Sequence, residues 1–268
     1  MRNAIICILS FFFTVLFLDS CASGNSCRLS SPLVVAHRGG ASLGPENSLS
    51  AIRRALECGA YAIEVDVRLS ACGAVVLMHD SKVDRTTNGK GRVSAMNLVD
   101  LKELFLVDDA GNVTKERVPT LDDEVLRFID GRCGLLIEVK GRAEGIERAV
   151  AESVMAADAL SWVSVQSFSD AVLERFSSLN LPIRLEKLMV FKFPFLPVIF
   201  DSSLSFFSIE KYSHISSFNI NKSFLSRRLI RSLKENGKGV KAWTFKKGPG
   251  GFSKPVDAVI TDSPQLWR

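Results

Sequence analysis

Nine short apolar runs of β-type residues, helical patterning between them, and a length that accommodates eight strand–helix repeats predict an α/β fold, a (β/α)8 barrel of the TIM type. At 268 residues, 47% apolar and 24% charged, the chain has the composition of a globular domain with a full core. Outside the N-terminal run, Cys27, Cys58, Cys72 and Cys133 fall at irregular spacing with no CxxC pair. One disulfide could form, but neither a stapled scaffold nor a zinc or redox centre is indicated.

Taken in order, the first thirty residues stand apart from the fold. Arg2 precedes the apolar run 4–18, which has the length of a signal-peptide core and is short for a membrane span. "LDSC" at 18–21 is similar to a bacterial lipobox, although Asp19 is unusual within it. Export to the bacterial cell envelope is the expectation, with the chain lipid-anchored through Cys21, cleaved and periplasmic, or held by an uncleaved leader. "ASGNSCRLSS" then reads as a flexible tether. The expected division is therefore 1–30, leader and tether, and 31–268, barrel domain.

The β-type runs are "LVVA" 33–36, "AIEVDV" 62–67, "AVVLMH" 74–79, "LLIEVK" 135–140, "WVSVQSF" 162–168, "PIRLEKLMV" 182–190, "ISSFNI" 215–220, "VKAWTF" 240–245 and "DAVITD" 257–262. Helical patterning occupies 46–58, 97–105, 121–130, 143–157, 169–180 and 223–236. The count exceeds eight by one, and 66–75 is too short for a crossover helix. The connection between the second and third runs is irregular, or one run lies outside the barrel. After 240–245, "FKKGPGGFSK" places Gly and Pro where the last helix belongs, so that helix is expected to be degraded.

Two segments are compositionally unusual. "LMVFKFPFLPVIF" at 188–200 carries Pro194 and Pro197, which forbid a regular helix, and reads as a buried cap over the barrel or as a loop touching a bilayer. Between 211 and 254 eleven Lys or Arg face Glu235 alone, so that stretch carries +10 and the remainder −5. Such a block attracts anions, whether phosphate substrates or acidic headgroups. No nucleic-acid recognition motif accompanies it.

The polar residues within the strands carry the chemistry. Glu64 and Asp66 are two apart, so a strand puts both on one face, and two carboxylates facing a barrel interior need a cation between them. Glu138 and Lys140 repeat the spacing on another strand. Three hard oxygen donors suit one divalent cation, Mg²⁺ or Ca²⁺, better than zinc. The chain has three histidines, and His37 and His79 each close a β-type run. The carboxyl ends of parallel barrel strands meet at one rim, so both would join the carboxylates there as an acid and base for displacement at phosphorus. His214 has no such company and reads as surface. Asn219 and Asn221 share a strand face and could supply a polar contact or serve the barrel rim.

"AHRGG" with "PENS", "IEVDV", "VVLMHD" leading to "DRTTNGKGRV", "VPTLDDEV", "LLIEVKG", "QSF", "WT" and "VDAVITDSP" follow one another from 34 to 264. Together they resemble the glycerophosphodiester phosphodiesterase family. The resemblance implies a TIM-type barrel that hydrolyses glycerophosphodiesters to glycerol 3-phosphate and an alcohol with a divalent cation. It implies His37 and His79 as the acid and base, Glu64, Asp66 and Glu138 as metal ligands, and Arg38 on the phosphate. Lys140 would assist Arg38 or orient Glu138, and Trp243 would wall the glycerol carbons. Glu46 and Asn47 would shape the first loop, Glu46 reaching towards the metal or His37. Lys246 stands where the family places an asparagine, which puts part of the substrate wall in question. Two other readings remain: a phospholipase D-like enzyme acting on lysophospholipids, and a non-catalytic surface lipoprotein that binds lipid or a partner.

Overall fold

In the computed structural model, which describes residues 31–192, 199–200 and 209–267, thirteen strands are assigned among those residues. They are β1 (Leu33–Ala36), β2 (Ala62–Leu69), β3 (Val75–Leu77), β4 (Phe105–Val107), β5 (Val113–Arg117), β6 (Gly134–Val139) and β7 (Val163–Ser167). The chain continues with β8 (Arg184–Met189), β9 (Phe191–Lys192), β10 (Ile199–Phe200), β11 (Ser217–Asn221), β12 (Gly239–Phe245) and β13 (Ala258–Thr261). Eight of them run parallel in the order β1-β13-β12-β11-β8-β7-β6-β2, and β1 also pairs with β2. That last pairing closes the sheet into the expected (β/α)8 barrel.

Helices α1 (Leu49–Glu57), α2 (Leu98–Lys102), α3 (Arg127–Ile129), α4 (Ile146–Ala156), α5 (Asp170–Ser178) and α6 (Arg227–Glu235) lie in the connections. Their starts are written locally. Ser48 and Ser226 each accept a backbone N–H at 3.1 Å, from Ala51 and Leu229, and so cap α1 and α6. A π-helical stretch, Leu121–Leu126, leads into α3. Between β12 and β13 the described chain is turns and bends without a helix, as the Gly/Pro punctuation predicts.

The strand period sorts the two faces. Ile63, Val65, Ile137, Val163 and Val165 point outward into the main core beneath the helices. Val35, Ala62, Leu136, Ala258 and Ile260 form a separate apolar cluster within the barrel, with Trp243 packed against it. Glu64, Asp66 and Glu138 continue these inward rows one or two steps towards the carboxyl ends. An apolar plug thus underlies a polar rim.

The ninth β-type run resolves differently from its neighbours. β3 pairs antiparallel with the upper half of β2, Val67 opposite Leu77 and Leu69 opposite Val75, and is a hairpin arm rather than a barrel strand. The segment from β3 to the π-helix forms a projection with its own apolar cluster of Val76, Met78, Val83, Val93, Leu101, Leu106 and Val118. The expected helix 97–105 shortens to α2 and gives way to the antiparallel β4–β5 pair. β9 and β10 also pair antiparallel, while 193–198 of the 188–200 run, like the leader at 1–30, lies outside the described residues. No helix of the described residues is long and apolar enough to cross a membrane. Cys58, Cys72 and Cys133 are free thiols.

Candidate active site

The turn leaving β1 is the first element of the site. Arg38, Gly39 and Gly40 all adopt positive φ, 51°, 80° and 91°, so the backbone reverses within three residues. A Cβ on Gly39 would stand 3.0 Å from Ile52 Cγ1, in α1. This tight turn aims the Arg38 backbone N–H at Glu64 Oε2, 2.7 Å away.

Glu64, Asp66 and Glu138 are buried, and one carboxylate oxygen from each falls within 4.8 Å of the others. Asp66 and Glu138 are direct cross-strand partners of β2 and β6. Protein cations around them are few and off-centre. Lys140 Nζ donates to Glu138 Oε1 at 2.6 Å and stands 3.5 Å from Asp66 Oδ1, while Arg38 Nε stands 3.5 Å from Asp66 Oδ2. Asp66 Oδ1 is buried with no hydrogen-bond partner. Burial lifts the Glu64 carboxyl, and Asp66 beside it lifts it further, to about 8. Glu138 is raised for the same two reasons. Burial alone would raise Asp66 too, but Lys140, His79 and Arg38 outweigh it and hold this carboxyl below its usual range. A hard divalent cation fits this oxygen set, satisfying the orphaned Asp66 oxygen and relieving the repulsion.

Each histidine is held through Nδ1. His37 Nδ1 lies 2.5 Å from Asp262 Oδ1, just beyond β13, and His79 Nδ1 lies 2.7 Å from Asp80 Oδ1. Burial would lower the pKa of His37, yet the Asp262 hydrogen bond and the Glu64 charge bring it above the ordinary imidazole value. Burial prevails at His79, which is lowered despite Asp66 and Asp80. His79 does not close the parallel barrel strand that its position after "VVLM" predicts. It follows an antiparallel arm, not a parallel strand, and reaches the rim because β3 descends from the tip of β2, with Met78 N bonded to Asp66 O.

A small pocket, about 90 Å³, gathers His37, Arg38, Glu64, His79, Glu138 and Lys140 against an apolar wall of Phe168, Leu188, Trp243 and Ile260. Asp66 is not among its lining residues. Trp243 is fixed by its indole N–H on Asn219 O at 2.8 Å and by edge-on contact with Phe168. Glu46 does not join the carboxylate group. It accepts from Arg38 at 3.0 Å and from both terminal nitrogens of Arg85, which also holds Asp80. Asn47 exchanges two hydrogen bonds with Asp66, side chain to side chain at 2.9 Å and backbone N–H to Asn47 Oδ1 at 3.0 Å.

Several partners escape sequence reasoning. Gln166 donates to Glu64 Oε1 at 3.1 Å, and Asn219 Nδ2 donates to Gln166 Oε1 and Glu186 Oε2, both at 2.7 Å. Lys241 closes this buried chain on Glu186. Asp262, Asp80 and Arg85 complete the histidine supports. Polar residues at inward positions of apolar strands, Gln166 in "VSVQS" above all, were the available signal. Asn221 is half-buried, Lys246 is exposed, and His214 is half-buried rather than fully exposed.

Residues 37–266 match the model of the glycerophosphoryl diester phosphodiesterase family. The chain is 32% identical over 246 residues to the glycerophosphodiester phosphodiesterase of Caldanaerobacter subterraneus subsp. tengcongensis, covering 87% of this chain and 95% of that protein. Among solved structures it is similar to an Oleispira antarctica phosphodiesterase in complex with the product sn-glycerol-3-phosphate, with TM-score 0.72, 27% identity and coverage of 87% and 94% of the two chains. It is also similar to the glycerophosphodiester phosphodiesterase of Agrobacterium tumefaciens str. C58, with TM-score 0.70, 27% identity and coverage of 88% and 99%.

Proposed function

Since the chain belongs to the glycerophosphoryl diester phosphodiesterase family, we propose that it hydrolyses glycerophosphodiesters to glycerol 3-phosphate and an alcohol, with His37 and His79 as proton carriers and one divalent cation, Mg²⁺ or Ca²⁺, as cofactor. The observation that carries this reading is the carboxylate trio of Glu64, Asp66 and Glu138 in a pocket lined by two carboxylate-held imidazoles.

A divalent cation on the three carboxylates would supply neutralisation of phosphate oxygens and a more acidic nucleophile. The chain's own residues do the rest. Arg38 and Lys140 offer fixed positive charge to the phosphate, Arg38 as a planar donor and Lys140 as a point charge steadied by Glu138. With Nδ1 engaged by Asp262 or Asp80, each histidine keeps Nε2 for the substrate. One imidazole takes the proton of the attacking water and the other protonates the departing alkoxide, so that one water is consumed and glycerol 3-phosphate and the alcohol are released. Phe168 and Trp243 present apolar faces to the glycerol carbons and exclude water from that side.

The test is glycerol 3-phosphate release from a panel of diesters with Mg²⁺ or Ca²⁺. Turnover is expected to vanish with a chelator and to fall by about 10²-fold or more in His37→Ala and in His79→Ala. No turnover of any diester with either cation would overturn the proposal and favour a binding protein.

The leader reading extends to placement. Residues 1–30 are proposed as an export and tethering segment with acylation at Cys21, supported by the apolar run behind Arg2 and the lipobox-like "LDSC".

A further inference from the structure

A phosphodiester has two ester arms, so a site that grips the phosphorus must leave room on both sides of it. The pocket bounded by Phe168, Leu188 and Trp243 is one side. A second, more open cleft is lined by His79 and Lys140, which it shares with the pocket, together with Arg68, Asp80, Ser81, Lys82, Asp84 and Arg85.

The two walls differ in kind. No residue lining the second cleft is of apolar type, although aliphatic stems of these side chains supply most of its accessible surface, and Arg68, Lys82, Arg85 and Lys140 outnumber Asp80 and Asp84. Much of the acid charge is already engaged: Asp80 binds His79 and Arg85, and Asp84 accepts the Gly91 N–H at 2.8 Å. Two cations are left over. Arg68 directs Nε and Nη2 at the His79 carbonyl, at 3.0 and 2.7 Å, which fixes its guanidinium against the His79 backbone. Among the described residues neither Arg68 Nη1 nor Lys82 Nζ has a side-chain or carbonyl partner.

We propose that this cleft receives the second ester arm of the substrate and favours an arm carrying a second phosphate over a neutral arm, and a neutral arm over a cationic one such as choline. The inference rests on the hydrolase reading above and names its substrate class. Its physical basis is Coulomb attraction at a partly exposed rim, where each unpaired cation shifts binding modestly and salt weakens the effect.

The experiment compares kcat/KM for glycerophosphoglycerol, the same diester with a terminal phosphate on its second glycerol, and glycerophosphocholine, using the cation-loaded full chain. The expected order is terminal phosphate, then neutral, then choline, with steps of roughly three- to tenfold at low ionic strength that shrink in about 0.5 M salt. Lys82→Glu is expected to lower the ratio of phosphorylated to neutral substrate by about tenfold. Equal kcat/KM across the three, a preference for choline, or a ratio untouched by Lys82→Glu would overturn the subsite while leaving the hydrolase intact. Absence of turnover on all three would remove both.

Discussion

His37 Nδ1 and Asp262 Oδ1 are 2.5 Å apart, joining the residue after the first barrel strand to the residue after the last. The contact fixes the ring and, together with the Glu64 charge, reverses the effect of burial on its pKa. Asp262→Asn should therefore lower the His37 pKa, read by NMR titration of the imidazole, and reduce kcat by about 10²-fold. An unmoved titration with unchanged kcat would show that Asp262 does not serve His37.

The carboxylates link stability to pH. In the cation-free protein Glu64 is pushed up to about 8 from an ordinary value of 4.5. Between these values the folded chain retains a proton that the unfolded chain releases, so this contribution is complete below about 4.5 and is lost as pH rises through about 8. A bound cation replaces that proton. The Tm difference between Mg²⁺-saturated and chelated protein should widen from about pH 5 to about pH 8. A constant difference, measured by scanning calorimetry, would contradict the assignment.

Gln166 bridges Glu64 to the buried chain of Asn219, Glu186 and Lys241. Such outer contacts hold a metal-binding carboxylate in orientation. Gln166→Leu should weaken cation binding about tenfold by titration calorimetry, with far-UV circular dichroism unchanged. Full affinity in the variant would reduce Gln166 to a packing residue.

Lys187 is wholly buried, with Nζ 2.7 Å from both Asp170 Oδ1 and the Phe168 carbonyl. Removing only the acid strands the charge. Asp170→Ala should destabilise the fold by about 3 kcal/mol in urea unfolding, and Lys187→Met should cost less. If the acid substitution is the milder of the two, Lys187 is paired elsewhere.

The eight barrel strands were legible because each reads as an apolar β-type run set off by helical or turn patterning. That Glu64 and Asp66 share an interior with Glu138 also follows from strand period. An apolar run carries no direction, however, so "AVVLMH" could not disclose that β3 returns antiparallel against β2. β4 and β5 were invisible for another reason: the three residues of "FLV" and the polar "VTKER" hold no apolar–polar alternation. The supports of the site were the least legible part. Asp262 meets His37 only through closure of the barrel, and Arg85 meets Glu46 only across the β2–β3 segment, both long-range events; Asp80 adjoins His79 in sequence, but adjacency alone does not disclose the contact.

The central claim, one divalent cation held jointly by Glu64, Asp66 and Glu138, is tested most directly by calorimetric titration of Mg²⁺ and Ca²⁺ into the chelator-treated protein. One binding event per chain is expected, abolished or weakened by about 10²-fold or more in Asp66→Asn and in Glu138→Gln. A protein that binds neither cation, or binds one equally well after both substitutions, would contradict it.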